Sequence, residues 1–189
     1  MSDFPLHLLR HGAPVQPGLM LGRTDAAPTT EGIAACVQQA ARLDVERIVA
    51  SDLQRCSLTA AAIGEARDMA TEIDPRWREL DFGAWDGKAA STIAAEPLGR
   101  FWNDPDLYPP PDGERWSSML DRIGAALAEL QLRPTLIVTH GGAIRAVLHL
   151  LCGIPRPQLW AFDLPYGALL SLHVWPGEPR SAQIRGLRG

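Results

Sequence analysis

The spacing of apolar positions shifts along the chain, and each shift predicts an element. Phe4–Leu9 is a short apolar run of strand length. A polar loop containing Gly and Pro follows, from Gly12 to about Pro28. Ile33, Cys36, Val37, Ala40 and Ala41 then recur at helical spacing. Arg47–Ala50 reads as a second strand, Leu53–Ala66 as an Ala-rich helix and Met69–Ile73 as a weaker strand. An irregular stretch follows, holding Trp77, Trp85, Trp102 and the run Pro105-Asp106-Leu107-Tyr108-Pro109-Pro110-Pro111. Trp116, Met119, Leu120, Ile123, Leu127 and Leu130 form one stripe of an amphipathic helix. Thr135–Val138 reads as a strand, Gly142–Leu151 as a helix and Ala168–Trp175 as a closing strand. Strands alternating with helices predict an α/β fold with a mostly parallel sheet in a three-layer α/β/α sandwich. In such sheets ligands bind beyond the carboxyl ends of the strands.

Composition narrows the class without changing this picture. The 189 residues predict one domain, 1–189, since domains commonly run to roughly 100–200 residues. Apolar residues at 46% and charged residues at 21% fit a globular chain and exclude disordered and collagen-like classes. A net charge of −4 offers no general attraction to nucleic acid or to an anionic membrane surface. The opening Met1-Ser2-Asp3-Phe4-Pro5 has no basic region, so a cytoplasmic setting is expected. No run approaches the roughly 20 apolar residues of a membrane span. Cys36, Cys56 and Cys152 are scattered and are expected as reduced thiols packed like small hydrophobes. Nothing in the sequence sets an oligomeric state.

Three strand ends carry the candidate chemistry. The first is Leu9-Arg10-His11-Gly12, a permanent cation beside an imidazole, with a glycine expected to let backbone approach a ligand. The second is Ala50-Ser51-Asp52, with Arg55 on the first turn of the next helix. The third is Thr139-His140-Gly141-Gly142, where a helix start offers free amides and a positive dipole end. Two His, two Arg and one helix N-terminus make an electropositive site for an oxyanion. His7, His149 and His173 lie mid-strand or on a helix face and are read as structural.

Four motifs in order closely resemble those of the histidine phosphatase superfamily, the phosphoglycerate-mutase-like fold. They are Leu9-Arg10-His11-Gly12; Ser51-Asp52-Leu53-Gln54-Arg55 with Thr59-Ala60; Trp77 through Gly87, containing Glu79; and Val138-Thr139-His140-Gly141-Gly142. Gly22-Arg23-Thr24-Asp25 resembles a further family segment. Within the superfamily the chain looks most like α-ribazole phosphatases of cobalamin synthesis and broad-specificity relatives. The resemblance implies His11 as nucleophile, Arg10, Arg55 and His140 as holders of the phosphoryl group, and Glu79 as proton donor. It departs from the usual pattern at Ala13-Pro14, where many members have Glu or Gln then Thr or Ser. It departs again at Asp86, where the family usually has Glu.

The chemistry is coherent on its own terms. A phosphomonoester dianion repels anionic nucleophiles, so a neutral imidazole is a sensible attacker, and neighbouring cations keep it neutral. The Arg pair, His140 and backbone amides, Gly141 among them, can stabilise charge on the phosphoryl oxygens. An alkoxide leaves poorly, so a carboxylic acid must give it a proton. Glu79, among Trp77, Phe82 and Trp85, is expected to be shielded with a raised pKa, with Asp81 as its nearest competitor. No cofactor and no metal is called for. Cys36 and Arg42 match the C-x5-R spacing of cysteine phosphatases but lack its glycines and its strand. A zinc site from His11, His140 and Glu79 lacks ligand spacing and faces two cations.

The expected partner is a small phosphate ester. Residues 84–116 are the expected substrate-covering insertion, and Arg23 and Thr24 are candidate substrate contacts. A phosphoglycerate mutase and a catalytically silent phospholigand-binding protein remain the alternative functions.

Overall fold

The computed structural model describes residues 3–189; Met1 and Ser2, from the opening segment read above, lie outside the described residues. A six-stranded sheet carries the architecture, in the order β3-β2-β4-β1-β5-β6. The strands are β1 Phe4–Arg10, β2 Arg47–Ala50, β3 Thr71–Ile73, β4 Thr135–Thr139, β5 Leu169–Trp175 and β6 Ser181–Arg188. β3, β2, β4 and β1 run parallel, and β5 and β6 are antiparallel additions at the β1 side.

Alternation along the strands divides the core in two. Ile48 and Ala50, Leu136 and Val138, and Leu9 face one layer, against Cys36, Ala40, Cys56, Ala60 and Ile63 of the helices α1 (Thr30–Ala40) and α2 (Gln54–Arg67). Leu6 and Leu8, Val49, Ile137 and Leu170 face the other layer. That layer is closed by α4 (Trp116–Glu129) and α5 (Gly141–Cys152), with α3 (Ala95–Asn103) contributing Phe101. The α4 stripe behaves as its spacing predicts, with Met119, Ile123 and Leu127 buried. Thr29 caps α1 by accepting from the Gly32 amide at 3.0 Å.

Two elements differ from the sequence reading. The irregular stretch contains α3, because Pro97 falls in the first turn, where its missing N–H is not needed. The strand at 169–175 does not close the sheet; β6 does, with partly buried Ala182, Ile184 and Gly186 alternating with exposed positions.

The three histidines read as structural have local partners. His7 Nδ1 lies 2.9 Å from Ser171 Oγ, His149 Nδ1 donates to the Ile154 carbonyl at 2.8 Å, and His173 pairs with Asp3. All three cysteines are unpaired, Cys36 and Cys56 fully buried. No helix among the described residues is long and apolar enough to cross a membrane.

Candidate active site

The sheet order makes β2, β4 and β1 neighbours, so the three motifs read from separate stretches end side by side. Backbone bonds lock the ends together: the His11 amide donates to the Thr139 carbonyl at 2.9 Å, and the Ser51 amide to Val138 at 3.1 Å. His11 and His140 consequently sit edge to face, their ring centroids 5.1 Å apart, both buried.

Each imidazole is held in one tautomer. His11 Nδ1 lies 2.8 Å from the Gly12 carbonyl, which can only accept, so Nδ1 carries the proton and Nε2 the lone pair. Burial first, then the Arg55 charge, lowers the His11 pKa to about 3. His140 Nδ1 accepts from Arg55 Nε at 3.2 Å, which puts its proton on Nε2, 3.4 Å from Cys56 Sγ. Burial and Arg55 hold His140 well below the ordinary histidine range as well. Burial pushes the Cys56 thiol up, so it stays a thiol against that ring.

Arg55 is fully buried. Besides His140, it donates to the Thr24 carbonyl at 2.8 Å, Leu21 at 2.9 Å and Gly22 at 3.0 Å. It thus fixes His140 and the 21–24 loop with a single planar group. Arg10 donates to the Leu164 carbonyl and lies 4.2 Å from the centre of the Tyr166 ring. Its Nε is buried without a partner. Tyr166 also flanks His11, ring centroids 5.5 Å apart.

The acidic side chain that meets the N-terminus of α5 is the chain's own Glu79. Its Oε2 accepts from the Gly142 amide at 2.9 Å, and its Oε1 from Leu80 at 2.9 Å. A Cβ on residue 142 would lie 2.0 Å from Glu79 Oε1, so glycine makes room for the carboxylate. Gly12 serves a different approach from the one expected. A Cβ there would lie 2.3 Å from the Gly32 carbonyl, so the crowding is against α1. Asp81 turns away from α5 and accepts from Arg23 Nε at 3.1 Å and the Gly83 amide at 2.9 Å. Asp86 accepts from the Gly22 amide at 2.7 Å, the Thr24 amide at 2.6 Å and the Thr24 hydroxyl at 2.9 Å. Arg23 and Thr24, the two candidate substrate contacts, are therefore tied to carboxylates of the 81–86 segment.

Beside Glu79 opens a cavity of about 180 Å³. Arg10, Glu79, Gly141 and Gly142 bound it on the histidine side, and Phe82, Phe101, Trp102, Trp116 and Trp160 supply aromatic walls. From the 84–116 region, Phe101 is buried core, whereas Trp102 is 40% exposed and packs edge to face on Trp160. Arg145 also lines this cavity. Sequence reading passed over Arg145 and Tyr166. The available signal was a cation one turn inside a helix whose N-terminus favours anions. Among the described residues no group of three or more His, Cys, Asp or Glu side chains is arranged to hold a metal ion.

Comparison with known proteins identifies the family and the fold. The family model of the histidine phosphatase superfamily, branch 1, matches residues 6–185. A "probable phosphoglycerate mutase" of Enterobacter sp. (strain 638) is 31% identical over 164 residues, covering 79% of this chain and 75% of the relative. Mycobacterial glucosyl-3-phosphoglycerate phosphatase superposes with a TM-score of 0.85 at 26% identity, covering 97% of this chain and 98% of that one. The α-ribazole phosphatase of Shigella flexneri superposes at 0.81 with 25% identity, covering 98% and 96% respectively.

Proposed function

The chain belongs to the histidine phosphatase superfamily, and from that membership we propose a metal-independent phosphomonoesterase that works through a phosphohistidine. His11 Nε2 attacks phosphorus as Glu79 gives a proton to the departing ester oxygen, so the P–O bond breaks and a neutral alcohol leaves. Water then gives its proton to the Glu79 carboxylate and attacks the phosphohistidine, and the P–N bond breaks to release inorganic phosphate. Arg10, Arg55, His140 and the Gly141 amide stabilise the phosphoryl oxygens. The observation that carries the reading is the bond from His11 Nδ1 to the Gly12 carbonyl. It leaves a neutral nitrogen lone pair beside Arg10, Arg55 and His140.

The alcohol part of the substrate is assigned to the aromatic cavity, with residues 84–116 as its cover on a single domain, 1–189, and with Arg23 and Thr24, outside the cavity lining, as further substrate contacts. The aromatic walls support a ring-bearing ester. α-Ribazole 5′-phosphate of cobalamin synthesis is one candidate, supported by the likeness to the Shigella flexneri enzyme. A glucosyl-3-phosphoglycerate, named in the mycobacterial neighbour, is another. A cytoplasmic setting belongs to the same proposal and rests on the unpaired cysteines.

Rapid quenching with labelled substrate, in excess chelator, tests the reading. It is expected to trap protein-bound phosphate that is acid-labile and alkali-stable, and His11→Ala is expected to lose both label and turnover. Label that survives acid, or activity restored only by zinc or magnesium, overturns the proposal. A mutase reading is favoured by the Enterobacter relative. It would require interconversion of 2- and 3-phosphoglycerate faster than phosphate release.

A further inference from the structure

We infer that Arg145 selects the leaving group by binding a carboxylate on the alcohol part of the substrate. This inference rests on the phosphomonoesterase reading and narrows it.

Arg145 is a cation with no carboxylate partner among the described residues. It lines the cavity, and its Nε–H is buried without an acceptor. Its other two bonds are long, 3.4 Å to the Gly141 carbonyl and 3.3 Å to the Phe162 carbonyl. The guanidinium lies 4.3 Å from the centre of the Trp160 ring, which fixes its plane. No carboxylate among the described residues comes within 4.0 Å; Glu79 and Asp163 act on it only through space. Near the α5 N-terminus the helix dipole opposes a cation, and the Arg10 charge opposes it too.

Two other arginines near the cavity are satisfied. Arg122 is paired with Glu114 at 2.7 Å, and Arg156 donates to the Trp102 and Asn103 carbonyls, tying down the end of α3. A side chain placed against local electrostatics, desolvated and facing a cavity, marks a ligand contact rather than a fold contact.

Position sets the chemistry of the ligand. A Cβ on Gly141 would lie 3.3 Å from Arg145 Nη1 and 3.6 Å from Arg10 Nε, so the two guanidiniums flank one residue. A second negative group on the substrate must therefore lie within a few bonds of the ester phosphorus. The two loosely held Nη groups form a planar fork that suits a carboxylate bound through both oxygens. The aromatic walls then take whatever hydrocarbon or ring the alcohol carries.

Two matched pairs isolate the carboxylate: 3-phosphoglycerate against glycerol 3-phosphate, and O-phosphoserine against O-phosphoethanolamine. α-Ribazole 5′-phosphate is added as an aromatic ester that lacks a carboxylate. In the wild-type protein kcat/KM is expected to favour the carboxylate member of each pair by tenfold or more. Arg145→Gln is expected to collapse that ratio by roughly 10–100-fold, the usual worth of one charged hydrogen bond. Arg145→Lys should recover part of it.

A parallel loss on both members of a pair would assign Arg145 to holding α5 or Glu79 and overturn the inference. So would a wild-type preference for α-ribazole 5′-phosphate over both carboxylate esters. Failure of the phosphatase reading looks different: no ester in the set, p-nitrophenyl phosphate included, would be hydrolysed.

Discussion

At the scale of single residues, the proposed function rests on histidines kept neutral at a cost to stability. The unfolded chain takes up a proton on each histidine near pH 6.5, whereas folded His11 does so only near 3 and His140 well below its ordinary range. Between those values the unfolded state binds more protons, so stability is fully present above about pH 6.5 and is lost as the pH falls. The slope is at most about 1.4 kcal/mol per pH unit for each histidine. His7, also lowered by burial, adds in the same direction. Urea midpoints are therefore expected to drop from pH 6.5 to 5.0, above the range where Asp52 and Asp74, both lowered, titrate. His11→Gln should fall less steeply; an identical slope would remove His11 from the account. Gly142 offers a second test at this scale. Gly142→Ala drives a methyl into Glu79 Oε1, so it should mimic Glu79→Gln. Both are expected to slow alkyl phosphates by roughly 10²–10⁴-fold and p-nitrophenyl phosphate much less, because a good leaving group needs no acid. Equal losses on both esters would make Glu79 a phosphate-positioning group. His11, Arg10 and His140 were legible because each abuts a strand end. Arg145 was not, since on a helical wheel it looks like any solvent-facing cation.

Between residue and fold, the loops are organised as elements by one carboxylate. Asp86 accepts three bonds from the 22–24 loop, and the Met20 and Lys88 backbones pair beside it, 2.9 Å from the Met20 amide to the Lys88 carbonyl. That loop in turn presents the carbonyls on which Arg55 rests. Asp86→Ala is expected to destabilise the protein by about 1–3 kcal/mol, through amides left unpaired. It should also open the loop to trypsin after Arg23; unchanged cleavage would show that the Arg55 bonds alone hold it. The departure from the family's usual Glu is thus accommodated by a close, three-donor fit to the shorter side chain. α3 was hidden in the sequence by Pro97 and Gly99, whose breaker reading ignores that a proline is harmless in a first turn. β6 was hidden because an edge strand needs only a half-apolar face, and Ala182 and Gly186 carry little signal.

For the whole molecule, strand and helix periodicity was enough to reach the layered α/β architecture. The order β2-β4-β1, which brings the three motifs together, came from no local pattern. It follows from pairings between distant stretches, where a short motif carries no address. The central strand β1 has as its two partners β4 and β5, at Thr135–Thr139 and Leu169–Trp175. On a ribosome, then, β1 emerges well before either of its neighbours. Its backbone N–H and C=O edges stay open until β4 and β5 have been synthesised, a topology that folds slowly and leaves the nascent chain prone to association. His11 is made well before His140, so a nascent chain lacks half of the proposed site until β4 and the start of α5 have followed.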